Sequence, residues 1–369
     1  MAIEFAARIR RIPSYPVAAG YDLGSDVAML ASNESPFGPL PEVVEAARRT
    51  LAGVNRYPDP SYSALRRALA ERYGVPSERI ALGNGSCDIL LAAGEALLEP
   101  GAEVVYAWPA FSVYPQLAAA SGARAIQVPL DAAERHDLEA MATEVTVATR
   151  LVLICNPNNP TSTALPLEEI EPLLERIPRH VCVILDEAYC EFALTIGDPF
   201  ASVELLKRWP NLVLLRTFSK IYGLAGLRVG YALCADERFR QAVDQIRQPF
   251  HLNAAAQAAA VEALKHQDAV EDRVTRTIAN RLALEEGIRA LGLWLADSEA
   301  NFVWVRLPDS GDGSQASLAG DEAAIVSGLA DRGVVVRAGA SLGQAGAMRV
   351  TVGTGPENAR FVSALAELL

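Results

Sequence analysis

Short apolar runs recur along the first two thirds of the chain, each closed by glycine, proline, asparagine or a charged residue. Runs of this length with turn signals at their ends read as buried strands. They fall at Ile80 to Leu82, Glu103 to Ala107, Ala125 to Val128, Leu151 to Cys155, Val181 to Asp186, Leu212 to Thr217 and Gly230 to Cys234. Between them lie stretches with helical spacing, from Pro41 to Leu51, Tyr62 to Tyr73, Asp88 to Leu98 and Phe111 to Ala119. Pro41 in a first turn, with Glu42 and Glu45 close behind, is a helix opening. Apolar strands alternating with helices predict an α/β unit whose mostly parallel sheet is covered on both faces.

Beyond Asp236 the pattern shifts to long helices, from Asn253 to Lys265 and from Ala269 to Leu291. Strands are predicted at Asn301 to Leu307, Val334 to Arg337 and Met348 to Val352, with a Gly/Asp/Ser-rich loop from Asp309 to Gly313. The first forty residues, rich in Pro, Gly and Ser, read as an extended arm. The organisation expected is an arm over 1–40 joining a small domain, a large domain over 41–255 and a small α+β domain over 256–369.

Composition narrows the function classes. With 369 residues and 51% apolar content the chain has material for a sizeable core. A net charge of −12 argues against general nucleic-acid binding, which needs a basic surface. Five cysteines with no Cys-x-x-Cys pair disfavour a disulfide framework and a zinc site, so no metal is expected. No signal peptide and no membrane span are read, and the cytoplasm is the expected compartment.

Four segments carry candidate chemistry. Lys220 follows an apolar strand in Leu215-Arg216-Thr217-Phe218-Ser219-Lys220, ahead of a glycine-rich turn and Arg228. A lysine desolvated at a strand end is a nucleophile toward a carbonyl, and Ser219 with Arg228 can hold a phosphate. An aldehyde with a phosphate arm describes pyridoxal 5'-phosphate. Gly83-Asn84-Gly85-Ser86-Cys87 joins a strand to a helix and can cup a phosphate, without a Walker lysine or a third Rossmann glycine. Asn156-Pro157-Asn158-Asn159-Pro160-Thr161-Ser162 is a rigid loop at a strand's carboxyl end. Asp186-Glu187-Ala188-Tyr189 ends another strand with an acid suited to a pyridine nitrogen, a metal-binding Asp-Glu pair being the competing reading. In Trp108-Pro109-Ala110-Phe111-Ser112-Val113-Tyr114, Phe111 is placed either to cover a flat ring or to pack in the core.

Taken in order, these segments resemble the fold-type I PLP-dependent aminotransferases of class I/II over nearly the whole chain. Within them the chain is most similar to the histidinol-phosphate aminotransferase branch, through Asn55-Arg56-Tyr57-Pro58, Asn156 to Thr161, Asp186 to Tyr189 and Thr217 to Gly230. The resemblance implies a large domain with a mostly parallel seven-stranded sheet and a smaller α+β domain. It implies that Lys220 forms a Schiff base with the cofactor, that Asp186 pairs with the ring nitrogen and that Asn159 and Tyr189 bond the ring hydroxyl. Phe111 stacks on the ring. Gly85, Ser86, Cys87, Ser219 and Arg228 hold the phosphate, joined by Tyr57 from the other subunit of a homodimer with shared active sites. Arg349, Arg337, Tyr15 and Asn33 are the implied substrate residues.

Two positions depart from the family pattern: Ser162 stands where glycine is usual, and Cys87 where an acid is common. The implied reaction is histidinol phosphate plus 2-oxoglutarate giving imidazole-acetol phosphate and glutamate, a step of histidine biosynthesis. Ser162, Trp108 and Ala300-Asn301-Phe302-Val303-Trp304 are also similar to aromatic (phenylalanine) aminotransferases. A PLP decarboxylase of a phosphorylated amino acid and a non-enzymatic binding module of the same fold are the remaining readings.

Overall fold

The computed structural model describes residues 3–14, 26–308 and 315–369, and their side chains except those of 315–320. Seven strands form the main sheet, in the spatial order Ile80–Gly83, Gly230–Cys234, Leu212–Thr217, Cys182–Asp186, Thr149–Cys155, Glu103–Trp108 and Arg124–Pro129. Gly230–Cys234 runs antiparallel to both neighbours, and the other pairs are parallel. Alternate residues of the six strands other than the exposed edge strand Arg124–Pro129 enter two separate cores. Leu82, Val105, Val152, Val183 and Leu214 pack to one side, and Ala81, Val104, Leu151, Ile184 and Val213 to the other. Burial on both faces is why the inner strands are mainly apolar, whereas the edge strand Arg124–Pro129 alternates with exposed polar residues.

The chain reverses its direction across the sheet between Glu103–Trp108 and Thr149–Cys155, which are neighbours although Arg124–Pro129 intervenes in sequence. Such a reversal leaves a crevice at the strands' carboxyl ends, the usual ligand edge of an α/β sheet.

A second body with its own core lies beyond this sheet. Arg337–Ala338, Ala347–Thr351 and Phe302–Arg306 make a three-stranded antiparallel sheet. Its apolar residues, such as Val303 and Val350, pack with Leu284 and Ile288 of the helix Gln267–Ala290 and Phe361 of the helix Gly355–Ala366. The helix Ala254–Ala263 instead buries Ala256, Ala259, Ala260 and Ala263 in the main core.

Several expected elements differ. The single strand expected from Val334 to Arg337 is divided: Val334–Val335 pairs in parallel with Ala28–Met29, and Arg337–Ala338 pairs with Ala347–Thr351. Hydrogen bonds to a segment some three hundred residues earlier decide this, and no local pattern carries them. The helix expected from Phe111 begins at Tyr114, which puts Pro115 in the first turn where its missing N–H costs nothing. Helices Leu138–Thr143, Leu167–Arg176, Glu237–Ile246 and Gly355–Ala366 were not anticipated. The loop from Asp309 to Gly313 lies outside the described residues.

Candidate active site

A cavity of about 440 Å³ opens at the carboxyl ends of the parallel strands and is closed on its far side by the smaller sheet. Lys220 lies in its wall, three residues past the strand Leu212–Thr217. Its Nζ donates to the carbonyls of Asn33 at 2.9 Å and Ser32 at 3.2 Å. Burial of the amine, reinforced by the Arg349 guanidinium, brings the ammonium down to about 7. A neutral amine at physiological pH is a nucleophile and a base.

Asp186 ends the next strand and is almost wholly buried. Burial lifts its carboxyl to about 6, against the opposing effect of a hydrogen bond from Tyr114 at 3.1 Å. Its neighbour Glu187 pairs instead with buried Arg216 at 2.9 Å. The two acids therefore serve different partners, which removes the metal-binding Asp-Glu reading of this strand end. The Tyr189 hydroxyl accepts from Asn33 Nδ2 at 3.2 Å and Asn159 Nδ2 at 3.4 Å, and burial holds it well above the ordinary phenol range.

The turn before the helix Ser86–Leu97 forms one end of the cavity. Gly85, at φ 79°, precedes that helix, and Ser86 and Cys87 line the space. Burial, with Asp186 nearby, pushes the Cys87 thiol up to about 11. Arg228, at φ 59°, reaches over the turn so closely that a Cβ on Gly85 would stand 2.5 Å from its Nη2. A Cβ on Gly230 would collide with the backbone nitrogen of Ser86. Ser219 joins this end, its Oγ accepting from Thr217 Oγ1 at 3.0 Å. Backbone N–H groups, a serine and an arginine around a space without room for a Cβ make an anion cup.

The opposite wall comes from the smaller sheet. Arg349 donates to Asn159 Oδ1 and to the Ala31 carbonyl, both at 2.6 Å. Arg337 faces it in the antiparallel register, and both buried guanidinium groups line the cavity. Phe111 lines another side, edge-on to Tyr114.

The structure thus gathers Lys220, Asp186, Tyr189, Asn159, Asn33, Ser86, Cys87, Phe111, Ser219, Arg228, Arg337 and Arg349 around one space, with Gly85 at its rim. Tyr57 does not enter it: its side chain is 79% exposed and stacks on Phe250 with ring centroids 4.4 Å apart. Tyr15 lies outside the described residues. Sequence reasoning missed Tyr114 as the partner of Asp186, although it quoted the run that contains it. It also missed Glu34, which lines the cavity and acts electrostatically on Lys220.

Ser162 does not line the cavity. It is fully buried with φ 62°, a left-handed conformation that suits glycine, and its N–H donates to the Asn158 carbonyl at 2.8 Å.

Residues 25–365 match the family described as aminotransferase class I and II. The chain is 44% identical over 341 residues to an aromatic amino acid aminotransferase of Thermobifida fusca, covering 91% of this chain and 89% of that one. It is 42% identical over 344 residues to histidinol-phosphate aminotransferase 1 of Cupriavidus pinatubonensis, covering 93% and 88%. The crystal structure of a Sinorhizobium meliloti histidinol-phosphate aminotransferase in complex with pyridoxal-5'-phosphate superposes with a TM-score of 0.81 at 32% identity, over 92% of this chain and 90% of that one.

Proposed function

The chain belongs to the class I and II aminotransferases, which use pyridoxal 5'-phosphate, and we propose that its amino donor is histidinol phosphate and its acceptor 2-oxoglutarate. The cavity fits the cofactor on three counts: a desolvated lysine amine, a buried carboxylate and a glycine-floored anion cup beside Arg228.

On this reading Gly85, Ser86, Cys87, Ser219 and Arg228 hold the phosphate, and Phe111 covers the ring. Asn159 and Tyr189 hydrogen-bond its hydroxyl oxygen. Asp186, once ionised against the ring nitrogen, keeps a proton there. When bound, the cofactor supplies an electron sink for the carbanion formed at the donor carbon. Lys220 Nζ, neutral near pH 7, takes the proton from the donor carbon that bears the amine. In a homodimer, exposed Tyr57 reaches the cofactor phosphate of the other subunit. A domain limit near 40 accompanies this reading, and the second limit falls after the helix Ala254–Ala263 rather than near 255, because that helix packs in the main core.

The observation that carries the donor assignment is the juxtaposition of two buried guanidinium groups, Arg337 and Arg349, in the wall facing the anion cup. Histidinol phosphate has no carboxylate, and its phosphate dianion matches two arginines better than one carboxylate does. The acceptor's distal carboxylate takes the same place in the return half-reaction. An aromatic donor is the second reading, favoured by the Thermobifida fusca relative at 44% identity, with Arg349 then holding the carboxylate.

Single-turnover spectroscopy of the pyridoxal form with histidinol phosphate and, separately, with phenylalanine tests the assignment. Faster conversion to the pyridoxamine form by histidinol phosphate is the expected result. Faster conversion by phenylalanine would overturn it in favour of the second reading.

A further inference from the structure

Glu134 occupies a tight turn between the strand Arg124–Pro129 and the helix Leu138–Thr143, at φ 61° and only 2% exposed. Its two ends serve different bodies of the fold. The backbone carbonyl accepts from Thr161 Oγ1 at 2.9 Å and Thr163 Oγ1 at 2.7 Å, in the loop that presents Asn159. The carboxylate Oε1 accepts from Arg306 Nε at 2.8 Å and Gln344 Nε2 at 3.2 Å, both on the smaller sheet's side. Arg306 ends the strand Phe302–Arg306 and pairs in register with Ala347, two residues before Arg349.

We propose that Glu134 is a positioning residue that sets the Asn159 loop in register with the strand bearing Arg349. One residue thereby fixes both partners of the 2.6 Å hydrogen bond between Arg349 Nη1 and Asn159 Oδ1. Neighbouring contacts hold the same seam. His136 Nε2 lies 3.1 Å from Asn158 Oδ1, and Trp108 packs so tightly on Gly343 that a Cβ there would fall 2.6 Å from the indole. With Arg306 half exposed the pair itself adds little net stability, so a geometric role for it is the better explanation. Glu134 touches neither cofactor nor substrate; it acts through Asn159 and Arg349, and the inference rests on their proposed roles.

The test uses holoenzyme carrying Glu134→Ala, Arg306→Ala or both. It reads KM and kcat with whichever of histidinol phosphate and phenylalanine reacts faster, together with cofactor absorbance and melting temperature. A loosened register weakens the hold on the substrate anion. Each single variant is therefore expected to raise KM about tenfold with kcat within about threefold, and the double variant to be no worse than either. Unchanged KM with a lowered melting temperature, or additive effects in the double variant, would overturn the proposal. Arg306 is half exposed, so Arg306→Ala decides the matter alone should Glu134→Ala fail to fold. Arg349→Gln separates the two levels. If it leaves KM unchanged, the reading of the anion site fails; if it raises KM while the Glu134 and Arg306 variants do not, only the positioning role fails.

Discussion

The Tyr114 hydroxyl donates to Asp186 Oδ2 at 3.1 Å, inside a region where both side chains are buried. Burial lifts the carboxyl to about 6 and this hydrogen bond opposes the lift by favouring the ionised form. The phenol therefore increases the ionised share of Asp186 near neutral pH against the larger effect of burial. In Tyr114→Phe the ring packing stays and the bond is lost. Cofactor affinity of the apoenzyme should then decline on the acid side from a pH roughly half a unit to one unit higher than in the parent. Fluorescence titration with pyridoxal 5'-phosphate between pH 5 and 8 measures this, and superimposable profiles would remove the assigned influence of Tyr114.

Lys220 makes the cofactor-free protein pH-sensitive in the opposite range. Its folded-state value near 7 lies below the ordinary value near 10.4 of an unfolded chain. Between these values the unfolded state binds the extra proton, so stability from this group rises with pH from about 7 to about 10 and is lost as pH falls. Cofactor-free Lys220→Met should accordingly melt above the parent at pH 7, with the gap closing toward pH 10. With cofactor the same variant should lose turnover by at least about a thousandfold, since the proposed nucleophile and base would both be gone.

Gly230→Ala should damage the anion cup from behind. Gly230 pairs in register with Gly83, and an added Cβ meets the Ser86 backbone nitrogen, which cannot move aside as a flexible side chain can. A stability loss of about 1–3 kcal/mol is expected from the overpacking, with a matching fall in cofactor retention on gel filtration. Full cofactor occupancy and an unchanged melting point would mean that the Gly85-Ser86 turn yields more freely than the contacts indicate.

Ser162→Gly should be mildly stabilising. A left-handed backbone costs a non-glycine residue roughly 1–2 kcal/mol, while glycine brings roughly 0.5–1 kcal/mol of extra unfolded-state entropy. The net gain should be about 0–1.5 kcal/mol, read as a small rise in the denaturant midpoint, with kinetics unchanged because Ser162 does not line the cavity.

The strand ends were legible because a strand buried on both faces has to be apolar, so the polar residue after it stands out. Lys220, Asp186 and Asn159 were found in that way, and the structure brings them into one cavity. Tyr114 and Glu134 were not found because their partners lie 72 residues away for Tyr114 and 172 residues away, at Arg306, for Glu134. A tyrosine in an aromatic run and a glutamate in a polar turn carry no local mark of such contacts. The divided strand at Val334–Val335 escaped for the same reason, its partner being Ala28–Met29.

The antiparallel strand Gly230–Cys234 joins Ile80–Gly83 to the rest of the sheet, so the anion cup and the lysine turn become neighbours only when segments some 150 residues apart have paired. Pairings of this separation must meet their loop-closure entropy before any contact repays it, which makes them slow. On a ribosome the cup stays unbuilt until residue 234 has emerged, and in refolding the cofactor's absorbance should appear only once Gly230–Cys234 has paired with Ile80–Gly83. Capture of the cofactor is thus a clock for completion of the sheet.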